Sequence, residues 1–244
     1  MQKLRRIRHS IASSGLLRTL ADLANQTLAI RALAYDAEAD DAFDRRHGTD
    51  TSGSVQTDQL GIDNAALRDK AIRYLPSPPR VTRWMLHAAG VRPADFTFVD
   101  LGCGKGRVLL LAAQLPFRAV VGVDISAELC AVARRNADLC QATSRSRIEV
   151  RTADATQLDF PDGNLLIHMY HPFDPELTVR VFERLGASLA QSPRKVVVGY
   201  LLYTAAVPAV QAAFARIPWL RRMRYEHSVT GQYDWLFYAN DVAD

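Results

Sequence analysis

The chain has no long hydrophobic run. Among its 244 residues, no uninterrupted apolar segment reaches the ~20 residues that a membrane-crossing helix needs. Its basic opening, MQKLRRIRHSIASS, lacks the continuous apolar stretch of a secretory signal, so none is expected. Cysteine is scarce. Cys103, Cys130 and Cys140 are odd in number and lack metal-ligand spacing, which argues against a disulfide framework and against a metal site. They read as reduced thiols in a cytoplasmic protein. A P-loop, a nucleophile elbow, internal repeats and low-complexity tracts are also missing. Charge of one sign is not in excess: 30 Lys and Arg against 26 Asp and Glu leave a net +4. That balance is compatible with an acidic partner without demanding one.

What is present is an ordinary globular composition, 48% hydrophobic and 23% charged. The length suits one α/β domain with an N-terminal extension. Residues 1 to about 35 carry Leu16, Leu17, Leu20, Leu23 and Leu28 near helical spacing, so a helix is expected there. Lys3, Arg5, Arg6 and Arg8 read as a solvated end, or in a sharper reading as an arm toward an anionic surface. The stretch 36–63 is acidic and polar, and Gly48, Ser52, Gly53 and Ser54 mark it as a loop. The chain divides accordingly into 1–63, a helical extension with a polar lid or linker, and 64–244, the main domain. Asp50 and Thr51 are the lid's candidate substrate contacts.

A short helix is expected over 64–74, and a second begins at Ser77-Pro78-Pro79, with Ser77 as N-cap and Gly90 as its stop. Then strands and helices alternate. FTFVDLG, AVVGVDIS, IEVRTADA, LLIHMYHPF and KVVVGYLLY are short apolar runs suited to buried strands. Asp174-Pro175-Glu176 opens a helix after the fourth run, and another helix passes through Ala212 to Arg216. RRMRYEHSV and YDWLFYAN, separated by Thr230-Gly231-Gln232, read as an antiparallel hairpin. The expected fold is α/β: a doubly wound, mostly parallel sheet with a C-terminal antiparallel hairpin.

Between the first strand and its helix lies Asp100-Leu101-Gly102-Cys103-Gly104-Lys105-Gly106. Ligands of open parallel sheets bind beyond the carboxyl ends of the strands, where glycine lets the backbone turn tightly and approach a ligand. The spacing is G-x-G-x-G. It is neither the G-x-G-x-x-G of dinucleotide binding nor a Walker A loop, which argues against a nicotinamide-dependent oxidoreductase.

DLGCGKG resembles motif I of the class I S-adenosylmethionine-dependent methyltransferases. GVDIS and TADA supply acidic residues at the two later positions of the same pattern, and the terminal hairpin fits it. The resemblance covers about 74–240 and implies a seven-stranded, Rossmann-like sheet whose last-numbered strand is antiparallel to the rest. It implies S-adenosylmethionine as cofactor. Asp124 would accept from the ribose hydroxyls, and Asp154, beside the Ala155 backbone, from the adenine amine. Asp100 would lie near the methionine amino group, and Gly102, Gly104 and Gly106 would shape the wall for the methionyl portion. Tyr74 falls in a segment similar to one that covers the methionine end in this family.

The fourth strand ends in Met169-Tyr170-His171-Pro172-Phe173-Asp174, at the place of motif IV beside the transferred methyl. His171 replaces the Asn or Asp of amino-methylating members and one proline is missing, which speaks against adenine-amine methylation. His171 is the candidate acceptor or base near neutral pH, with loop orientation as the alternative role. Tyr170 and Phe173 are candidate substrate-pocket residues. Asp174 reads as a helix cap and His168 as a packed core residue. The expected activity is methyl transfer to an amine of a protein or small molecule. The competing expectation is a S-adenosylmethionine-binding regulator without catalysis. Nucleic acid is disfavoured as partner by the acidic 36–63 stretch, although Arg221, Arg222 and Arg224 pull the other way. The sequence specifies no oligomeric state.

Overall fold

Five runs stand side by side; four are apolar because a strand buried on both faces has no polar side to offer, whereas the run 148–152, expected as a buried strand, lies at the edge and is partly exposed. They belong to a seven-stranded sheet in the computed structural model, which describes residues 41–62, 64–227 and 233–241. The strands are β1 (Phe96–Leu101), β2 (Val120–Asp124), β3 (Ile148–Thr152), β4 (Asn164–Tyr170), β5 (Val196–Tyr203), β6 (Arg221–His227) and β7 (Tyr233–Ala239). Their order is β3-β2-β1-β4-β5-β7-β6. β1 to β5 are parallel, and β7 is inserted between β5 and β6, antiparallel to both. This is the doubly wound sheet that the sequence implies. The hairpin's turn, 228–232, lies outside the described residues, as do the helix expected over 1–35 and its basic side chains.

Alternation along each strand sends side chains to opposite layers. In β1, Val99 and Leu101 enter one core while Phe96 and Phe98 enter the other. Over the described residues the helices are α1 (Ala42–His47), α2 (Ala65–Arg68), α3 (Pro79–Ala88), α4 (Arg107–Ala112), α5 (Ala127–Cys140), α6 (Pro175–Gln191) and α7 (Val207–Phe214). The Phe98 side packs under α3 and α4, with α5 beside α4 over β2 and β3. The Val99 side packs under α6 and α7 through Leu177, Val181, Phe182, Val210 and Phe214. Ser126 caps α5 through a bond from the Leu129 N–H, and Asp174 caps α6 through one from the Leu177 N–H at 2.7 Å.

Three local expectations are corrected. The helix over 64–74 is a single turn, α2, capped by Asn64, whose side chain accepts from the Ala66 and Leu67 N–H groups. Beyond it the chain runs extended, because Ala71 pairs with Phe173 and Tyr74 with Val55. Ser77 is not the cap of α3. Pro78 occupies that place with ψ 130°, since a residue preceding proline is pushed out of the helical region, and the helix begins at Pro79. α7 starts at Val207, ahead of the Ala212 to Arg216 stretch.

Residues 42–62, grouped in sequence with the N-terminal extension, pack on the α/β unit. Phe43 sits against Leu110 and Leu111 of α4, and Leu60 and Ile62 sit against Leu129 of α5.

Candidate functional site

The sheet winds in opposite directions from β1 and β4, so their carboxyl ends part to leave a crevice. It holds about 960 Å³ of empty space, its open mouth included. Asp100, Gly102, Asp124, Asp154, Ala155, Tyr170, Phe173 and Tyr74, drawn from the sequence motifs, line it together.

The glycine loop is built around its own walls. Gly102 and Gly104 have φ of 78° and 52°, in the left-handed region. A Cβ on Gly102 would lie 2.4 Å from the Pro172 Cβ, and one on Gly104 would lie 2.3 Å from the Tyr74 ring. Both glycines therefore admit side chains of this chain, namely the motif IV proline and the tyrosine that covers the loop. Gly106 stands at the start of α4.

Asp124 ends β2. Its Oδ2 accepts from the Gly104 N–H at 2.8 Å and its Oδ1 from the Ser126 N–H at 2.9 Å. Burial pushes its carboxyl up from the ordinary range, against the N–H bonds from Ser126 and Gly104 that favour the charged form. Each oxygen has a second lone pair with which to accept from a ligand. Asp154 follows β3, and its Oδ1 accepts from both the N–H and the hydroxyl of Thr156 at 2.8 Å. Asp100, one residue from the end of β1, is paired in register with His168 of β4. The His168 Nδ1 lies 2.6 Å from the Asp100 Oδ1, both side chains being almost wholly buried.

Asp50 and Thr51 depart from their expected place at the acceptor site, since neither lines the crevice. Thr51 is fully buried and bridges two charges: its hydroxyl donates to Asp44 Oδ1 at 2.6 Å and accepts from Arg107 Nε at 2.7 Å. Asp44 also accepts from the N–H groups of Thr51 and Ser52 and from the Thr49 hydroxyl. Burial pushes the Asp44 carboxyl up, but these bonds outweigh it and hold the group below its ordinary value. Asp50 receives the Lys105 ammonium at 2.7 Å, and Asn136 bonds the backbone of both Asp50 and Lys105. Tyr74 donates its hydroxyl to the Thr51 carbonyl at 2.6 Å, and burial pushes its phenol far up, so it stays protonated. The DTSG stretch is a strap fastened to the outer side of the glycine loop.

At the end of β4, Tyr170, Pro172 and Phe173 face the crevice, whereas His171 is not part of its lining. His171 has φ 41°, left-handed for a residue that is not glycine. Its Nδ1 shares a 3.0 Å hydrogen bond with the Tyr200 hydroxyl of β5. Burial pulls its pKa down, which favours the neutral ring at pH 7. The segment before α3 is stitched across this loop by the Ile72 N–H on the Pro172 carbonyl and the Asp174 N–H on the Lys70 carbonyl.

Sequence reasoning did not single out Arg107, Leu60 or Ile62 as site residues, read Ser77 as a helix cap and set His168 aside as core; all of them line the crevice. The position of Arg107 directly after the glycine loop was the available signal for it.

With this geometry in view, the comparisons with known proteins are direct. Residues 98–192 match the family described as "Methyltransferase domain". A protein-lysine N-methyltransferase of Saccharolobus islandicus is 36% identical over 92 residues, 35% of this chain and 56% of the relative. A histone-lysine N-methyltransferase, H3 lysine-79 specific, of Dictyostelium discoideum is 30% identical over 122 residues, 45% of this chain and 6% of the relative. The chain thus spans less than two thirds of either relative. A SAM-dependent methyltransferase of Aquifex aeolicus shares the fold with a TM-score of 0.53 at 13% identity, over 68% of this chain and 94% of that one. Residues 98–192 are thus similar to a methyltransferase domain, and the seven-stranded sheet with its glycine loop resembles the fold of the class I S-adenosylmethionine-dependent methyltransferases. S-adenosylmethionine is the cofactor of that class, and the crevice fits it: acceptor oxygens stand at the ends of β1 and β2 and after β3, beside Gly102 and Cys103 of the loop, whereas Gly104 and Gly106 lie outside the lining.

Proposed function

We propose that this protein transfers the methyl group of S-adenosylmethionine to an amine of a protein side chain. The carrying observation is the make-up of one crevice. Carboxylates stand along its β1, β2 and β3 side, and Tyr170, Pro172 and Phe173 form the β4 side. The cofactor supplies a methyl group already activated on a sulfonium, so positioning is the main demand on the protein. In this reading Asp124 accepts from the ribose hydroxyls, Asp154 and the Ala155 backbone hold the adenine edge, and Asp100 serves the methionine amino group. The Gly102–Cys103 end of the loop forms the wall beside the methionyl chain, with Tyr74 packed over Gly104. Tyr170 and Phe173 suit a lysine: aromatic faces attract an ammonium and pack along an alkyl stem. Apolar Leu67, Ala71 and Leu177 extend that wall. Two of the relatives named above act on lysine, which supports the same acceptor. An amine must shed a proton before it attacks. His171, neutral and at a strained strand end, is the proposed aid to that step, acting from the rim of the site.

The test is incubation of the protein with S-adenosylmethionine carrying a labelled methyl and with a panel of lysine-rich proteins. Label on a lysine amine is expected, and label confined to nucleic acid or small molecules would overturn the acceptor. Cofactor binding with no label on any acceptor would favour a regulatory protein. His171→Ala should keep cofactor affinity and slow turnover. In the parent protein, turnover should fall as pH drops through the lowered His171 pKa, below about 6.5. Equal turnover would leave His171 only the Tyr200 contact.

A further inference from the structure

The Asp100–His168 pair has one atom left over. His168 Nε2 is buried and has no hydrogen-bond partner among the described residues. Such a vacancy is costly inside a protein, and native interiors leave few of them. His168 cannot turn away to solvent. Its ring stacks on Phe98 with centroids 6.3 Å apart and meets Trp235 at 6.0 Å, and the residue is 1% exposed. It nevertheless lines the crevice beside Asp100.

The chemistry of the pair defines what the free nitrogen wants. A carboxylate only accepts, so the bond at 2.6 Å puts a hydrogen on Nδ1. In the neutral ring Nε2 is then a bare acceptor held in a fixed direction. Its natural partner is a donor, and a cationic one gives the stronger bond.

We infer that His168 Nε2 is a binding group for the α-ammonium of the cofactor's methionine end, completed by Asp100, which holds the ring and its tautomer. The inference rests on the cofactor reading above and adds a second residue, from β4, to the group carried by β1. His168 is thus a binding residue for the amino-acid end, and Asp100 also acts through it as a positioning residue.

The experiment compares three ligands by calorimetry on the full chain. S-adenosylhomocysteine carries the amine and the carboxylate, its decarboxylated analogue keeps only the amine, and 5′-methylthioadenosine lacks both. His168→Asn keeps an N–H where Nδ1 donates to Asp100 and removes Nε2. It should weaken the first two ligands about tenfold or more, the worth of a hydrogen bond to a charged group, and leave 5′-methylthioadenosine unchanged. Equal losses for all three ligands, or none, would overturn the inference. A loss for S-adenosylhomocysteine alone would assign the nitrogen to the carboxylate and overturn it too. Should the variant not fold, the parent protein decides. With ¹⁵N-labelled histidine, the Nε2 resonance of His168 should move on adding the amine-bearing ligands and stay put with 5′-methylthioadenosine, and the same shift with all three would overturn the inference. Failure of the cofactor reading looks different, because the parent protein would then bind none of the three.

Discussion

Two buried acid–base pairs flank the glycine loop, and they are finished differently. Asp44 and Arg107 stand 3.8 Å apart with Thr51 between them, and Arg107 also reaches the crevice lining. The Asp44 oxygens together take bonds from Thr49, Thr51 and Ser52, and the Arg107 guanidinium lies over the Phe43 ring at 5.2 Å. Asp100 and His168, at 2.6 Å, line the crevice and leave Nε2 without a partner among the described residues. The difference separates fastening from reception. A polar network closed within the chain fixes backbone in place, here the strap over the loop. A network with an atom left over on a cleft is complete only when a ligand supplies the missing group.

The comparison can be broken most sharply at Arg107. Removing one partner of a buried pair strands the other, so Arg107→Ala should cost about 3–5 kcal/mol of stability by urea unfolding. A loss under about 1 kcal/mol, the scale of an exposed pair, would mean that the strap is held elsewhere. On the receiving side, Asp124→Ala should leave a folded protein but weaken S-adenosylmethionine roughly 100-fold by calorimetry, since two charge-assisted bonds disappear. Unchanged affinity would remove Asp124 from the ribose site. Smaller again is Tyr74→Phe, which deletes the bond to the Thr51 carbonyl and should cost about 1 kcal/mol. No change in thermal unfolding would show the strap indifferent to its cover.

The finest distinction lies in acid. Asp44 has its folded-state pKa held below the unfolded value of about 3.9. Its contribution is therefore complete above that value and is lost as pH falls through the lower folded one. Asp44→Asn should be less stable at pH 7 and show a flatter acid limb below pH 4. An identical acid limb in both proteins would assign the acid sensitivity to other carboxylates.

Much of this was legible in the sequence. The runs at 96–101, 120–124 and 196–203 are mostly apolar and buried at nearly every position, as strands covered on both faces require. Asp124 could be found because it ends such a run, and Asp154 because it follows the alternating edge run 148–152. What escaped were the contacts between distant segments. Thr51 and Arg107 are 56 residues apart, and Asp50 and Asn136 are 86 apart. Nothing in a polar DTSG stretch tells a strap from an acceptor lid, since both need the same small polar residues. His171 follows a strand whose alternation predicts burial but not that its ring would meet Tyr200 and leave Tyr170 and Phe173 to the crevice.

The sequence by itself determined the sheet, the loop and the acids at the strand ends, because hydrophobic period, glycine and chain position are local properties. The tertiary structure alone decided which polar groups meet. Only the register of β1 with β4 sets Asp100 beside His168, and only the fold of residues 42–62 onto α4 closes the Asp44–Arg107 network. A side chain's partner depends on which strands are neighbours and in what register, and that is fixed by how the whole core packs.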